Sequence, residues 1–597
     1  MKQSTLFILC ILLFGSNYAQ NTVEYSLDFS TFMGGSHFEQ ARDLAIDAEG
    51  NIYITGGTSS DDFPTTPGAY NTTYNNAGSA TVGGWGPMMV FVSKFSPEGT
   101  LLWSTLLGGP NYDRAYAIEV DDDGYVYVGG RAGDDFPTTT GAFQEEFVQG
   151  SSINNLYGHQ NGFIAKLSPD GADLVWATYY GGDSFGFFRD IDVDEDGYVY
   201  GILNAVRLEP PGISIDAFDT SHNGSYDMVA VKFNQDVSAV EWATFLGGSG
   251  EDRGGPAVRV GTDKSVFIGG STKSNNFPTT ASAVQTQRNG SSDFFVTRIA
   301  PDGTDLIYST YFGGNSDEFS ETHSLHVDHL NQAYVACGTL STDIPTTLGA
   351  IKPTKTDIND VDALFFKLSA DGSQLLACTY FGGLNVDSPE GLRVDMDGHL
   401  YVGGGSSSID LPVTADAPQA QLAGGNDGFV VKLNLDFSEA LFCSYYGGSD
   451  DESVRAFGLS DDGTVTLSGQ TASEDFPITA GAFQPMHASP NGNQPDSYLA
   501  QFEAEEVTAL EDLLINSSAS VSLFPNPTNN KVSIATNGQN IKTMMVIATS
   551  GQVLMKVENI NDVSQILETG SLPEGQYFVK VIFADETVVV KKLAVIN

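Results

Sequence analysis

Basic residues are scarce in this chain. Its 597 residues include 27 lysines and arginines against 75 aspartates and glutamates, which gives a formal net charge of −48 at pH 7. A surface of this sign repels nucleic acid and anionic lipid, so neither is an expected partner. Divalent cations or a saline exterior suit such a surface better, although a solvated acidic shell accounts for it equally.

Cysteine is also rare, with four residues in the whole chain. Cys10 lies in an apolar leader, which leaves three cysteines, an odd number. Cys378 and Cys443 occupy the same position in successive copies of the repeat described below, and equivalent positions of neighbouring units lie too far apart for a disulfide. We therefore expect these two and Cys337 to be small core residues.

Long apolar runs are absent after residue 19. Residues 1–19 combine Lys2, an apolar core over 6–14 and a small residue at Ala19, a pattern typical of an export signal that is removed by cleavage. The apolar core is too short to span a bilayer. The sequence therefore predicts an exported protein without a membrane span.

Helical periodicity and catalytic signatures are missing as well. The chain has no H-E-x-x-H or phosphate-binding loop, and its G-x-S-x-G match at 182–186 is not followed by the helical pattern that a nucleophile elbow requires. His323, His326 and His329 are spaced three residues apart, so on a strand they would point to opposite faces and could not share one zinc ion. No catalytic residue is therefore assigned from motifs.

What the chain does contain is a repeat. A Gly-Gly pair closes an apolar run seven times, and six of these pairs are followed four residues later by an acidic residue. Two β-type runs joined by a short turn come next, and then in six copies D-F-P-T-T or a close variant of it. Seven copies at a spacing of 65 to 74 residues indicate an array of one supersecondary unit. The pairs begin at Gly34, Gly108, Gly181, Gly247, Gly313, Gly382 and Gly447.

Each repeat contains four β-type runs, which we name strands a to d. In the second repeat they cover Ala115–Asp121, Tyr125–Gly130, Gly162–Leu167 and Leu174–Tyr180. Short Asp/Gly hairpins join a to b and c to d, whereas the connections from b to c are long.

The two ends of the array distinguish an open solenoid from a closed ring. Tyr25–Met33 is a d-type strand with no a, b or c before it, and the last unit ends at its c strand, Ser497–Phe502. The first strand is therefore expected to complete the last sheet, whereas an open solenoid would need polar capping repeats. We predict an all-β fold, with a seven-bladed β-propeller over 20–502, an acidic linker over 503–520 and a small β-sandwich over 521–597.

The repeat units resemble bacterial SBBP (seven-bladed β-propeller) repeats. The unit STYFGGNSDEFSETHSLHVDHLNQAYVACGTLSTDIPTTLGA shows their Y-x-G-G signature and variants of their V-D-x-x-G-N-x-Y-V-x-G and D-F-P-T-T signatures, while the third unit lacks D-F-P over 204–217. The resemblance implies the propeller fold. It implies no catalytic residues, because the family shares none that could be transferred.

From residue 521 the chain resembles the type A C-terminal sorting domain of the type IX secretion system. This resemblance implies the secretion machinery as a partner and a Gram-negative host of the Bacteroidota type. It also implies removal of the tail and either release or anchoring at the outer-membrane surface, whereas an ordinary β-sandwich appendage would imply none of these. The matching residues are Pro525, Asn526, Pro527, Gly551, Gly575, Tyr577, Lys591 and Lys592.

Two acidic positions recur on the propeller face that carries the d–a and b–c loops. One follows the Gly-Gly pair and the other precedes an apolar residue and proline in the b–c loop, and the third unit lacks both. A calcium ion shared by the two carboxylates is one interpretation. The other is that each carboxylate accepts N–H bonds within its own loop. The candidate ligands are Glu39, Asp62, Asp113, Asp135, Asp252, Glu318, Asp343, Asp387, Asp410, Glu452 and Asp475.

A varied polar column on strand a is the candidate for a specific ligand site, because the inner strands of a propeller line its central channel. Inter-blade ion pairing is the alternative explanation. The column residues are Glu119, Asp192, Arg259, His326 and Arg393.

Three functions are compatible with these features, since a fold alone does not decide function. The favoured one is a non-catalytic binding or adhesion module that holds an extracellular glycan or protein on its loop face. The second is a polysaccharide lyase or hydrolase, in which arginine and histidine of the channel column neutralise a uronate and remove its α-proton. The third is a structural surface protein with no ligand.

Overall fold

The computed structural model describes residues 22–75, 87–149, 157–181, 186–204, 212–320, 323–489 and 494–507, and then 521–595 with gaps at 527, 537, 539, 549–552, 571, 574 and 585–587. The chain divides into two compact units, one over Tyr25–Ala504 and one that contains the residues from Glu505 onward. Among the described residues, no helix has the length and apolar character needed to cross a membrane.

The first unit consists of strands. They are β1 (Thr22–Met33), β2 (Glu39–Ile46), β3 (Ile52–Thr58), β4 (Met89–Phe95), β5 (Leu101–Leu107), β6 (Arg114–Val120), β7 (Val126–Ala132), β8 (Asn161–Leu167), β9 (Leu174–Tyr180), β10 (Phe188–Val193), β11 (Val199–Asn204), β12 (Met228–Phe233), β13 (Val240–Leu246), β14 (Asp252–Val260), β15 (Val266–Thr272), β16 (Asp293–Ile299), β17 (Leu306–Phe312), β18 (Glu318–Phe319), β19 (Leu325–Val327), β20 (Ala333–Thr339), β21 (Asp362–Leu368), β22 (Leu375–Phe381), β23 (Asp387–Val394), β24 (Leu400–Ser406), β25 (Asp427–Leu433), β26 (Ala440–Tyr446), β27 (Glu452–Leu459), β28 (Val465–Thr471) and β29 (Asp496–Val507).

The described strands of this unit form seven sheets, each of which is one blade. Innermost strand first, blades 1 to 4 are β2-β3-β4-β5, β6-β7-β8-β9, β10-β11-β12-β13 and β14-β15-β16-β17. Blade 5 is β18-β20-β21-β22 with β19 also paired to β20, blade 6 is β23-β24-β25-β26, and blade 7 is β27-β28-β29-β1. The innermost strand of each blade contacts that of the next, and β27 contacts β2, so the ring is closed. The predicted propeller is confirmed.

Blade 7 also confirms the predicted closure. The N-terminal strand β1, which contains the predicted Tyr25–Met33, lies beside β29, which contains the predicted Ser497–Phe502. The Ser30 N–H donates to the Thr479 hydroxyl at 2.9 Å, a bond between residues separated by 449 positions. In blade 2, the predicted strand bounds agree with the observed ones to within two residues.

The hydrophobic core lies between neighbouring blades. One cluster packs Tyr53 and Trp103 of blade 1 against Ile118 and Phe163 of blade 2, all of them buried. The aromatic and β-branched residues of the repeat therefore fill inter-blade space, as half-buried sheet surfaces require. The described cysteines confirm the prediction made for them, since Cys337, Cys378 and Cys443 are buried free thiols, whereas Cys10 lies outside the described residues.

A β-bulge occurs at the same place in the innermost strand of five blades. In blade 2, Ala115 pairs with Gly130 and Ala117 with Gly129, which leaves Tyr116 as an extra residue. A Cβ atom on Gly130 would lie 2.2 Å from the Arg114 carbonyl oxygen, so glycine is required opposite the bulge. The extra residues of the five bulges are Arg42, Tyr116, Arg189, Glu390 and Arg455.

The b–c connections cover the outer edges of the blades. In blade 1, the Thr66 N–H donates to the Ser104 carbonyl in the outermost strand at 3.0 Å, and the Tyr70 N–H donates to the Gly171 carbonyl in the c–d turn of blade 2 at 2.8 Å. The segment thus forms hydrogen bonds with an otherwise unpaired edge strand and joins two blades. The same inter-blade bond recurs from Phe143 to Val237, Phe218 to Gly303, Val284 to Gly372 and Ile351 to Phe437.

The second unit is a small β-sandwich, as predicted. Its two sheets, β30-β31-β34 and β33-β32-β35-β36, share one core around Val532, Met544, Val579 and Leu593. The strands are β30 (Val521–Phe524), β31 (Lys531–Thr536), β32 (Ile541–Ala548), β33 (Val553–Asp562), β34 (Ser564–Glu568), β35 (Gly575–Phe583) and β36 (Val588–Val595).

Candidate functional site

The acidic residue after each Gly-Gly pair closes its own d–a loop. Glu39 is fully buried, and its carboxylate accepts the Gly35 N–H at 2.9 Å and the Thr58 hydroxyl at 2.7 Å. Burial raises the pKa of Glu39 to about 8. A bond from the second glycine of the pair recurs at Asp113, Asp252, Glu318, Asp387 and Glu452.

The second acidic position binds the same loop from the other side. Asp62 accepts the Ser36 N–H at 2.8 Å. Asp135 differs from its counterparts in having a left-handed φ of 65°. The structure therefore shows loop closure at most of these positions, and calcium binding there stays a prediction. Equivalent N–H bonds are accepted by Asp343, Asp410 and Asp475.

The strand-a column lies at the end of the channel next to the a–b turns. Glu119, Asp192 and Arg259 are each the penultimate residue of their strand, so they sit far from the d–a loops. Burial, and then the neighbouring Asp192, raise the pKa of Glu119 well above its ordinary value. The structure thus brings the column together, but at the end of the channel opposite the d–a loops.

Two members of the column are poorly suited to lyase chemistry. The Arg259 guanidinium lies 2.6 Å from the Asp190 carboxylate, with both side chains buried, so it is engaged in an inter-blade ion pair. Burial, and then Arg393, lower the pKa of His326 to about 3. A base this weak removes an α-proton inefficiently near neutral pH. The inter-blade pairing that the sequence left open accounts for Arg259.

His323 reaches across the ring between this column and the d–a loops. It lies between β19 and the short β18 of blade 5, with a left-handed φ of 69°. Its Nε2 is 3.1 Å from the Tyr116 carbonyl oxygen of blade 2 and 3.7 Å from Asp43 Oδ1 of blade 1. Its Nδ1 is 3.5 Å from Asp190 Oδ1 of blade 3. One imidazole of blade 5 therefore reaches three other blades across the axis.

Asp43, Asp190 and His323 are close enough together to suggest a metal site, and among the described residues they form the group with that property. However, the two carboxylates face different nitrogens of the ring, so the imidazole bridges them and does not point with them at one ion. Asp43 also accepts the Ile118 N–H at 2.9 Å, and Asp190 accepts the Val258 N–H at 3.0 Å. We interpret the group as a structural link between blades 1, 3 and 5.

On the loop side of His323, four arginines surround one tyrosine. Tyr116 is fully buried, and the guanidinium carbons of Arg42, Arg114, Arg131 and Arg189 lie 5.1, 4.7, 5.0 and 4.9 Å from the centre of its ring. Arg114 and Arg131 both donate to its hydroxyl oxygen. We call these five residues the arginine–tyrosine cluster. It concentrates positive charge in a chain whose net charge is −48.

Arg131 is the most buried arginine of the cluster, with 4% exposure. Its guanidinium carbon lies 4.3 Å from the centre of the Tyr157 ring and 4.2 Å from that of Phe187. Its Nε has no hydrogen-bond partner, and neither has the Nε of Arg114. Burial, and then Arg114, lower the pKa of Arg131 well below its ordinary value.

Sequence reasoning missed this cluster because it compared only one equivalent position of strand a in each repeat. A bulge inserts one residue, so the alternation shifts and the extra side chain faces a direction that a regular strand would not give it. The available signal was the glycine in strand b, such as Gly130, because glycine inside a strand marks a bulge or a close approach.

In the second unit, Asn526 binds the last strand. Its side chain donates to the Lys592 carbonyl at 2.8 Å and accepts the Ala594 N–H at 2.9 Å. Asn526 therefore links the predicted sorting motif to the terminal strand. Of the other predicted sorting residues, Pro525, Gly575, Tyr577 and Lys591 are described, whereas Pro527 and Gly551 lie outside the described residues.

Two protein families match the chain. The SBBP "Beta-propeller repeat" matches residues 40–64 and 102–137, and the "Secretion system C-terminal sorting domain" matches residues 522–596. The chain is an SBBP β-propeller repeat protein with a type IX sorting domain. The sorting domain directs this SBBP protein to secretion and the cell surface, and it implies contact with the type IX secretion machinery.

The SBBP protein also shares weaker similarity with other chains. It is 24% identical over 241 residues to the regulatory protein FlaEY of Caulobacter vibrioides, a match that spans 38% of this chain and 24% of that protein. A protein of unknown function from Dyadobacter fermentans covers 81% of this chain and 100% of its own at 11% identity and a TM-score of 0.38. The quinohemoprotein alcohol dehydrogenase of Comamonas testosteroni covers 85% of this chain and 80% of its own length, at 9% identity and a TM-score of 0.35. Such scores carry no argument about activity.

Proposed function

We propose that this secreted propeller is a non-catalytic binding module that holds an extracellular glycan or protein at the loop-side end of its channel. The observation that carries the proposal is the arginine–tyrosine cluster on the loop side of His323, whose imidazole reaches across the ring to three other blades. A concave site with a few convergent polar groups is what a small ligand or the end of a polymer requires.

The b–c connections contribute less to this binding surface than the sequence suggested. Their D-F-P-T-T segments lie along the outer strands and bond to the next blade, as Tyr70 does with Gly171. The d–a loops remain at the channel end, and six of them are held by a buried carboxylate such as Glu39. Binding is therefore expected at the d–a loops and the cluster, and not on the outer rim.

The side chains that the sequence offered for catalysis are engaged in the fold. Arg259 is paired with Asp190, and His326 has a pKa far below the working range of a general base. Binding without turnover accounts for this arrangement better than a lyase or hydrolase does.

A glycan array probed with the full-length secreted protein, with and without Ca²⁺, tests the proposal. Each retained glycan is then examined for release of reducing ends. We expect retention without release, and loss of retention in Arg114→Gln, with Arg253→Gln as the control. Release that His326→Ala abolishes would establish the enzyme instead, and the absence of any glycan or protein ligand would favour a structural protein.

A further inference from the structure

The arginine–tyrosine cluster has a charge pattern that specifies a class of ligand. Resting on the proposed function, we propose that Arg114 and Arg131 bind a carboxylate or sulfate group, and that the ligand is an acidic extracellular glycan. The inference starts from the ladder between β6 and β7, where Arg114 and Arg131 are direct cross-strand partners. Like charges in opposite positions of a sheet destabilise it.

Tyr116 does not neutralise this pair. Arg114 and Arg131 both donate to its hydroxyl oxygen, and Arg114 also donates to the neutral Gln40 side chain at 2.8 Å. A phenol oxygen accepts hydrogen bonds but brings no negative charge. Two guanidinium groups are thus satisfied in part by neutral acceptors, and a Nε donor on each is left without a partner.

Other buried arginines of the chain have carboxylate partners. Arg259 lies 2.6 Å from Asp190 and Arg298 lies 2.7 Å from Asp263. In the part of the chain that the structure describes, no such ion pair is formed by Arg114 or Arg131, although the sequence holds 75 acidic residues. Arg42 and Arg189 have interactions of their own, so the proposal rests on Arg114 and Arg131.

A ligand anion would supply what the cluster lacks. Carboxylates and sulfates both present paired oxygens, and the planar guanidinium fork binds such pairs through two parallel N–H bonds. Aromatic rings beside Arg131, those of Tyr157 and Phe187, hold its guanidinium in place but add no charge. The cluster therefore resembles an anion-binding site without its anion more than a structural network in which every charge has a partner.

The position of Arg114 gives a route to solvent. It is the first residue of β6, next to the d–a loop of blade 2, and it is half-buried. The net charge of −48 opposes nonspecific binding of anions over the surface as a whole, so an acidic glycan would be held at the cluster itself. A site confined to one end of the channel thus suits the acidic group of a single sugar unit.

The first test is thermal unfolding of the full chain with galacturonic acid, glucose 6-sulfate or glucose, at constant pH and ionic strength. We expect the melting temperature to rise with one or both acidic sugars and not with glucose, because a ligand that binds the folded state stabilises it. The two acidic arms distinguish a carboxylate from a sulfate ligand. Equal shifts with glucose would overturn the anion inference.

Arg131→Met and Arg114→Gln are the test variants. We expect both to lose the shift, and Arg131→Met without ligand to melt at the wild-type temperature or above it, because an apolar residue replaces a buried charge without a counterion. Arg253→Gln is the matched control, since Arg253 also lies over a tyrosine, 4.0 Å from the Tyr226 ring centre, but next to the Glu251 carboxylate. If Arg131→Met melts far below wild type while Arg114→Gln keeps the shift, the cluster is structural packing and the proposal fails.

Polymer binding separates this inference from the proposed function. We expect polygalacturonate or a sulfated galactan to be retained at least tenfold more tightly than dextran, and Arg114→Gln to remove that preference. Retention of neutral glycans that Arg114→Gln leaves unchanged would refute the anion inference and preserve the binding module. Retention of nothing would refute both.

Discussion

The Tyr446 hydroxyl of β26 donates a hydrogen bond of 2.6 Å to the Ser30 hydroxyl of β1, a residue 416 positions earlier in the chain. This bond joins blade 6 to the strand that completes blade 7. On its other side, β1 packs Phe29 with Leu44 and Ile54 of blade 1. The N-terminal strand therefore contacts three blades at the point where the ring closes.

Deletion of residues 20–33 is expected to open the ring. The edge of β29 would lose its partner and present unpaired N–H and C=O groups, which promote association through strand pairing. We expect soluble aggregates in size-exclusion chromatography with light scattering, whereas deletion of 508–597 leaves every propeller strand in place and should give a monomer-sized peak. A monomeric deletion mutant with an unchanged melting temperature would contradict the closure.

Glycine in the c–d turns is predicted to be essential where an aromatic ring of the preceding blade lies against it. Gly171 has a φ of 68°, and a Cβ atom there would lie 2.5 Å from the Trp103 ring. We expect Gly171→Ala to lower the free energy of unfolding by about 2–4 kcal/mol, because backbone strain adds to overpacking. Gly141 is the control, since its φ is 92° but nothing lies within 4 Å of its Cβ position. Urea denaturation should show a clearly smaller loss for Gly141→Ala.

The buried loop carboxylates predict that stability falls as pH rises. Burial raises the pKa of Glu39 from 4.5 to about 8, so the folded state binds one more proton than the unfolded chain between these values. Its contribution to stability is therefore complete below pH 4.5 and is lost on approach to pH 8. Burial also raises the pKa of Glu318 and that of Glu452 to about 7, so both residues change the stability in the same direction.

Urea denaturation at pH 5 and pH 8 measures this effect. We expect Glu39→Gln to reduce the difference in free energy of unfolding between pH 5 and pH 8. The reduction should be on the order of a few kcal/mol, since one pKa unit corresponds to about 1.4 kcal/mol. Glu98→Gln, at an exposed position, should change nothing. A wild-type protein more stable at pH 8 than at pH 5 would show that these carboxylates are ionised in the folded state.

The sorting domain is predicted to depend on Asn526. Its side chain bonds to the backbone at Lys592 and Ala594, so Asn526→Ala removes two bonds that hold the terminal strand. We expect cell fractionation to show periplasmic accumulation of this variant and complete retention after deletion of 521–597. Mass spectrometry of the exported wild type should lack the tail, and finding residues 585–597 in most secreted molecules would refute tail removal.

The sequence predicted best the features that recur in every repeat and those that follow from the number of repeats. Strand bounds in blade 2, the burial of Cys378 and the use of Tyr25–Met33 as a missing fourth strand all follow from aligned copies of one unit. Copies of a unit share their backbone path, so agreement among seven copies compensates for weak signals in each.

The channel was predicted less well because its chemistry depends on departures from the repeat. The sequence compared one position of strand a between repeats, whereas the bulge adds Tyr116 as an extra residue and His323 lies between two short strands of blade 5. His323 bonds to a residue 207 positions away, and Arg42 and Arg189 reach the Tyr116 ring from the neighbouring blades. The end of the channel at which Glu119 lies could be known only from the assembled ring.

The shared seventh blade also dictates an order of folding. Blades 1 to 6 each use strands that are consecutive in the chain, so each can form as soon as its own residues are available. Strand β1 is synthesised first, but its partner β29 ends at Val507, so blade 7 has a far higher contact order than any other. Non-local pairing loses the entropy of loop closure before it gains stabilising contacts. This blade should therefore be the last to form and should set the folding rate. Until blade 7 forms, β1 has no strand partner and exposes unpaired N–H and C=O groups.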